Sequence, residues 1–203
     1  MADWIIETIN ATGYWGIFLL MLLESVFPPI PSELIIPFAG FSVQRGDLNL
    51  FGVLGATTAG AVVGMLPWYV AARLLGLART KWLADKIGRW LAMNSDEIDL
   101  ASAWFLRYGP VIVFLGRLLP IIRTIISVPA GVAGMPFLAF IAASALGALL
   151  WNSILIGAGY ILSSHYDLVE VILDPATIIV LGLCVLIYLW RVVTWKPGSG
   201  RSA

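Results

Sequence analysis

Cysteine and histidine are almost missing from this sequence: one of each in 203 residues, Cys184 and His165. A lone cysteine in an apolar run excludes a disulfide framework and a Cys-based metal site. His165 has no metal-ligating neighbour at helical spacing and reads as an ordinary loop residue. No metal and no cofactor is therefore expected. Charge is scarce as well. Asp, Glu, Lys and Arg make up 12% of the chain, where a soluble domain carries about twice that share. The 12 basic and 12 acidic residues balance, so bulk electrostatics does not point to nucleic acid. Residues 1–44 contain no Lys or Arg. A cleavable signal peptide starts with positive charge, and Asp3 and Glu7 stand there instead, so none is expected.

What is present is apolar. Hydrophobic residues make up 60% of the chain and its mean hydropathy is +0.94. One globular core cannot hide that much apolar surface, so the expected solvent is lipid. Five apolar stretches stand out: 14–41, 51–72, 109–136, 137–162 and 176–195. A membrane helix needs about 20 apolar residues. The stretches 51–72, 137–162 and 176–195 provide them without a charge in the middle.

The other two are interrupted. In 14–41, Pro28, Pro29 and Pro31 fall within four residues, and each proline removes an N–H and crowds the preceding turn. The arms on either side are about 10 residues long, which at ~1.5 Å per residue reaches half a bilayer. The reading is a re-entrant hairpin. The stretch 109–136 repeats it, with Gly116, Arg117, Pro120, Arg123 and Thr124 around the tip. Pro28, Pro31, Pro120 and Gly131 are the residues expected to shape the hairpins. Non-helical backbone at that depth survives only inside protein or beside water.

Between the hairpins, residues 76–108 are mixed. Trp82, Leu83, Ile87, Trp90 and Leu91 recur at helical spacing among Lys81, Asp85, Lys86 and Arg89. That predicts an amphipathic helix on the membrane surface. A second short helix starts near Asn94, which with Glu97 fits a capping box. Basic residues crowd 73–107 and follow the last apolar stretch at Arg191, Lys196 and Arg201. The positive-inside rule then makes 73–108 and the C-terminus cytoplasmic. Three full spans and two hairpins satisfy that orientation, with the hairpins opening to opposite faces.

Residues 18–75 and 110–161 share one plan: a hairpin, then Pro37 to Gly40 or Pro129 to Gly131, then a Gly-rich helix. Because the two units enter from opposite sides, they read as an inverted repeat of the kind that builds transporters. The expected fold is an all-α integral membrane protein. It has an inverted repeat of two re-entrant hairpins, each followed by a membrane helix, plus a C-terminal membrane helix and interfacial amphipathic helices. It forms a single membrane domain over 1–203. The first hairpin and its helix occupy 10–75, the amphipathic segment 76–108, the second hairpin and its helix 109–162, and the last membrane helix 176–195. A mobile tail, 196–203, follows. The spacing of Gly60 and Gly64 predicts close helix packing.

Glu24, Glu33, Arg117 and Arg123 are the four charges inside the hairpins. An ionisable group at the bilayer centre costs several kcal/mol on insertion scales and tends to face a cavity and pair. Salt bridges fixing hairpin to hairpin would explain them, as would snorkelling to the headgroups. A functional reading explains more. Arg117, Arg123 and Thr124 make a phosphate clamp, because guanidinium offers paired donors and stays charged when desolvated. Buried carboxyls can exchange protons, so Glu24 and Glu33 are the candidates for proton coupling. The sum is an anionic headgroup moved with proton linkage.

At these residues the sequence resembles the DedA family, the SNARE-associated or VTT-domain group of membrane proteins. The likeness covers roughly 10–165. Glu24 to Glu33, with Pro28, Pro29 and Pro31 between them, resembles the family's acidic hairpin motif. Gly116-Arg117 through Pro120 to Arg123-Thr124, then Pro129, Ala130, Gly131 and Met135, resembles its second signature. The resemblance implies a bacterial inner-membrane lipid transporter acting on undecaprenyl phosphate, on phosphatidylethanolamine or on phospholipids in general, and dependent on the proton motive force. It places the family's essential acidic pair on Glu24 and Glu33 and its arginine pair on Arg117 and Arg123. One departure stands out. Many members carry a Gly-Asp, then a Tyr and a Gly-Arg, in the helix after the first hairpin; here the acidic position is Met65, with Tyr69 and Arg73 following.

Two other function classes stay open on the sequence. A membrane phosphatase would need a nucleophile or metal set, and no Cys–His pair or His-rich cluster is present, so the expectation is no enzyme. A small-ion antiporter could run on Glu24 and Glu33 alone. The expected partners are a membrane lipid and protons, with an oligomer left open.

Overall fold

Every described segment of the chain that is long enough to be regular is helical, as lipid requires of a backbone that cannot bond to water. In the computed structural model residues 2–26, 32–91, 95–119, 122–161, 189–190 and 192–194 are described. Pro28, Pro31, Pro120, His165, Cys184 and nearly all of 176–195 lie outside them. The helices are α1 (Ala2–Thr12), α2 (Tyr14–Val26), α3 (Ser32–Gln44), α4 (Leu50–Leu91), α5 (Ser95–Arg117), α6 (Ile122–Ile125), α7 (Ser127–Val132) and α8 (Phe137–Ile161). Three are long and apolar enough to cross a membrane: Leu50–Trp82, Asp96–Arg117 and Phe137–Ile161. Their outward residues include Phe51, Leu74, Leu106, Leu138 and Ile161, all strongly exposed. Apolar surface of that extent belongs in lipid, and the chain is an integral membrane protein.

One of these helices contains the expected span 51–72, and another covers the described part of 137–162. The third differs from the expectation, which divided its residues between a surface segment and a hairpin arm. The division survives as a break: Tyr108 leaves helical geometry at φ −128°, ψ 16°. Pro110 explains it, since its ring and missing N–H disrupt the turn before it. The expected surface helix after residue 76 follows directly on its neighbour within α4, which runs on to Leu91 with Gly76 at φ 71° between the two parts. Lys81 pairs with Asp99, tying this end of α4 to α5.

Cα packing divides the chain into two compact units. Among the described residues, the first joins those up to Leu66 with 144–161, and the second comprises Pro67–Ala143 with 189–190 and 192–194. In the first unit, α1, α2 and α3 pack on one another. Gly13 turns the chain between α1 and α2 with φ 58°. Its core includes Ile9, Ile17, Leu20, Ile35, Ile36 and Ile156. α2 and α3 have 13 residues each, which at ~1.5 Å per residue is about 20 Å, short of a ~30 Å hydrocarbon layer. Gly60 and Gly64 seat α4 on α2 as their spacing predicts. A Cβ on Gly60 would lie 2.4 Å from the Phe18 carbonyl oxygen, and one on Gly64 would lie 2.6 Å from Ser25 Cβ.

One contact recurs in both units. In the first, Gly40 of α3 meets the backbone of Ile156 in α8, and Gly159 of α8 meets the Pro37 carbonyl. In the second, Gly131 of α7 meets the Tyr69 carbonyl in α4. The two arms also end alike. After α3, Gly46 has φ 81°, its N–H reaches Val43 O and the Asp47 N–H reaches Ser42 O. After α7, Gly134 has φ 69°, with the bonds Gly134 N–H to Gly131 O and Met135 N–H to Ala130 O. Both are Schellman caps, which need a left-handed residue after the helix. Alanine at either position should cost about 1–2 kcal/mol of stability, seen as a lower unfolding midpoint of the purified protein in detergent. An unchanged midpoint in both variants would contradict the cap assignment.

Candidate functional site

The acidic residues belong to the first unit. α2 carries Glu24 one turn after Leu20 and Met21, which point into the core, and Glu24 is buried with them at 7% exposure. Ser25 donates to Met21 O at 2.9 Å and lies 3.5 Å from Ala61 O on α4. At the start of α3, Ser32 is fully buried and donates to Glu33 Oε2 at 3.4 Å. Glu33 is half-buried. Ser32 carried no role in the sequence reading, although it lies inside the acidic motif.

The basic residues belong to the second unit. α5 ends at Arg117, where the chain tightens into bonds from Leu118 N–H to Leu115 O and from Leu119 N–H to Gly116 O. Gly116 leaves room for Ile126, whose Cγ1 would lie 3.0 Å from an added Cβ. The chain therefore folds back on itself closely, and Arg117 meets the start of α7. Arg117 Nη2 donates to Ser127 Oγ at 3.0 Å. Arg117 is 6% exposed and Ser127 0%. Arg123 is half-buried on α6. Thr124 lies on the same short helix, and its side chain is outside the described residues. Gly131 lies inside α7, against α4.

A further cluster was not among the expected site residues. Tyr69 is buried at 1% exposure and its hydroxyl donates to Met135 O. Arg73 Nη1 donates to the same carbonyl at 2.7 Å and to the Tyr69 hydroxyl. The Tyr69 ring stacks on Phe140 at 4.3 Å between centroids. Arg73 and Tyr69 thus hold the carbonyl that follows α7, and Met65, one turn before Tyr69, is buried at 2% exposure. Asn152 on α8 also carried no role, and it donates to Thr58 Oγ1 on α4 at 3.3 Å. Among the described residues, no group of three or more His, Cys, Asp or Glu side chains comes together as a metal site.

Comparison with known proteins gives these features a setting. The family model described as VTT domain matches residues 30–161. A protein named alkaline phosphatase-like protein from Lactococcus lactis subsp. cremoris is 36% identical over 190 residues, covering 93% of this chain and 89% of its own. Undecaprenyl phosphate transporter A from Staphylococcus aureus is 35% identical over 168 residues, 83% of each chain. The protein of the same name from Bacillus subtilis is 31% identical over 183 residues, 90% of this chain and 88% of its own. No solved structure matches the chain. With its motifs, its apolar helices and a family match over most of its length, this chain belongs to the VTT-domain, or DedA, family of membrane proteins.

Proposed function

We propose that this protein carries a lipid phosphate, undecaprenyl phosphate first, across the bacterial inner membrane, with a proton step. Arg117, Arg123 and Thr124 hold the headgroup, and Glu24 and Glu33 handle the proton. The observation that carries the reading is Arg117: a guanidinium at 6% exposure in an apolar hairpin, in a chain 35% identical to a protein named as an undecaprenyl phosphate transporter. A buried arginine stays charged and offers several donors in a plane, which suits the oxygens of phosphate.

The same reading makes the hairpins re-entrant and the two repeats inverted. Arms of 13 residues, matching Schellman ends and matching glycine contacts support it. The excess of Lys and Arg in 73–107 and in the tail supports a cytoplasmic C-terminus.

The test is transport by purified protein in vesicles, comparing undecaprenyl phosphate with phosphatidylethanolamine, with and without a pH gradient. Undecaprenyl phosphate should move faster, and the gradient should drive it. Equal movement of both lipids would favour a general scramblase. Ion-driven proton flux in vesicles that lack transportable lipid would favour a small-ion antiporter. Arg123→Ala should abolish headgroup transport while the protein still inserts; full transport in that variant would end its clamp assignment. The phosphatase-like name of one relative calls for one more measurement. Release of inorganic phosphate by the purified protein would make it an enzyme, and the proposal expects none.

A further inference from the structure

Ser127 has so far only accepted a hydrogen bond. A guanidinium has no acceptor, so the bond from Arg117 Nη2 at 3.0 Å uses a lone pair of Ser127 Oγ and leaves the hydroxyl proton unused. A helical serine ordinarily donates that proton to the carbonyl four residues back. Ser25, Ser42 and Ser153 all do so here. Ser127 does not: among the described residues its hydroxyl donates to none. It is also fully buried, where an unspent donor costs stability.

We propose that Ser127 selects a terminal phosphate monoester over a phosphodiester, by donating its proton to a headgroup oxygen beside the Arg117 fork. This rests on the clamp reading above. A guanidinium fork reaches two oxygens. A monoester has three non-bridging oxygens and a diester two, so the added donor finds a charged acceptor on the monoester and only a weak ester oxygen on the diester. The Arg117–Ser127 bond fixes the two donors relative to each other, which makes the third contact part of the same recognition. No covalent step is involved.

The experiment measures vesicle transport against lipid concentration, for undecaprenyl phosphate and for phosphatidylethanolamine, in wild type, Ser127→Ala and Ser127→Thr. Ser127→Ala should raise the half-saturating concentration of undecaprenyl phosphate about five- to tenfold and leave that of phosphatidylethanolamine within about twofold. Ser127→Thr, which keeps the hydroxyl, should restore the wild-type preference. If Ser127→Ala does not insert, Ser127→Cys carries the same test, because a thiol is a weak donor of similar size. A purely structural role would lower the maximal rate for both lipids and leave their preference unchanged, and that result would overturn the proposal. Wild-type protein that moves neither lipid would bring down the clamp reading, and this proposal with it. Wild type that prefers the monoester while Ser127→Ala keeps the preference would spare the clamp and overturn Ser127 alone.

Discussion

Arg117→Ala should reduce transport of undecaprenyl phosphate by about 30-fold or more. Truncating one partner of a buried, hydrogen-bonded charge contact costs roughly 2–5 kcal/mol, and each 1.4 kcal/mol is about a factor of ten. The change removes both the charge and the donor that Ser127 accepts. It also leaves a cavity where a buried side chain stood, so the rate has to be taken per molecule inserted. Arg117→Lys separates charge from shape. Lysine keeps a positive point charge but loses the planar fork, so it should retain part of the rate and tolerate monoester and diester more evenly. The measurement is the initial rate in vesicles per molecule inserted. A rate in Arg117→Ala above about a third of wild type would remove Arg117 from the headgroup site.

Gly159→Val should destabilise the first unit without touching a charge. A Cβ at Gly159 would lie 2.1 Å from the Pro37 carbonyl oxygen and 2.6 Å from Pro37 C and Cα. These are backbone atoms, which cannot swing away as the end of a side chain can. Overpacking of this kind costs about 1–3 kcal/mol and occasionally more, and a chain of this size loses roughly 2–4 °C per kcal/mol. The expected fall in the unfolding midpoint is thus about 2–12 °C in detergent, with less protein in the membrane. Gly157→Ala is the control. Nothing lies within 4 Å of a Cβ at Gly157, and alanine favours helix by about 1 kcal/mol over glycine, so its midpoint should hold or rise slightly. Equal losses in both variants would show that α8 tolerates no change for reasons other than this contact.

Much of the fold is legible in the sequence because lipid simplifies the reading. Length and apolarity alone mark 51–72 and 137–162, and the spacing of Gly60 and Gly64 marks the seat of α2. Helix ends are harder. The basic residues after 73 suggest a boundary, yet α4 continues to Leu91, with Gly76 at φ 71° inside it. The helical run thus passes the boundary, but with a left-handed residue at it. α1 also escaped notice: Ile5 and Ile9 bury one side of it, but with Asp3 and Glu7 among them the segment reads as a polar start. At the site, charges are conspicuous in an apolar run, so Glu24 and Arg117 can be picked out by sight. Ser127 cannot, because its meaning depends on α5 and α7 folding back until Arg117 reaches it. Tyr69 and Arg73 depend on Met135, far along the chain, and no local pattern carries such a pairing.

The glycine contacts impose an order on biosynthesis. Gly40 emerges early, but its partner Ile156 is made only when α8 is complete. Until then α3 has a notch with no backbone to fill it. Gly131 finds Tyr69 already made. The glycine of α3 thus waits for its neighbour, and the glycine of α7 finds its own already made. Contacts so distant in sequence close slowly, so the membrane insertion machinery must tolerate an unfinished first unit for most of the time that the chain is being made.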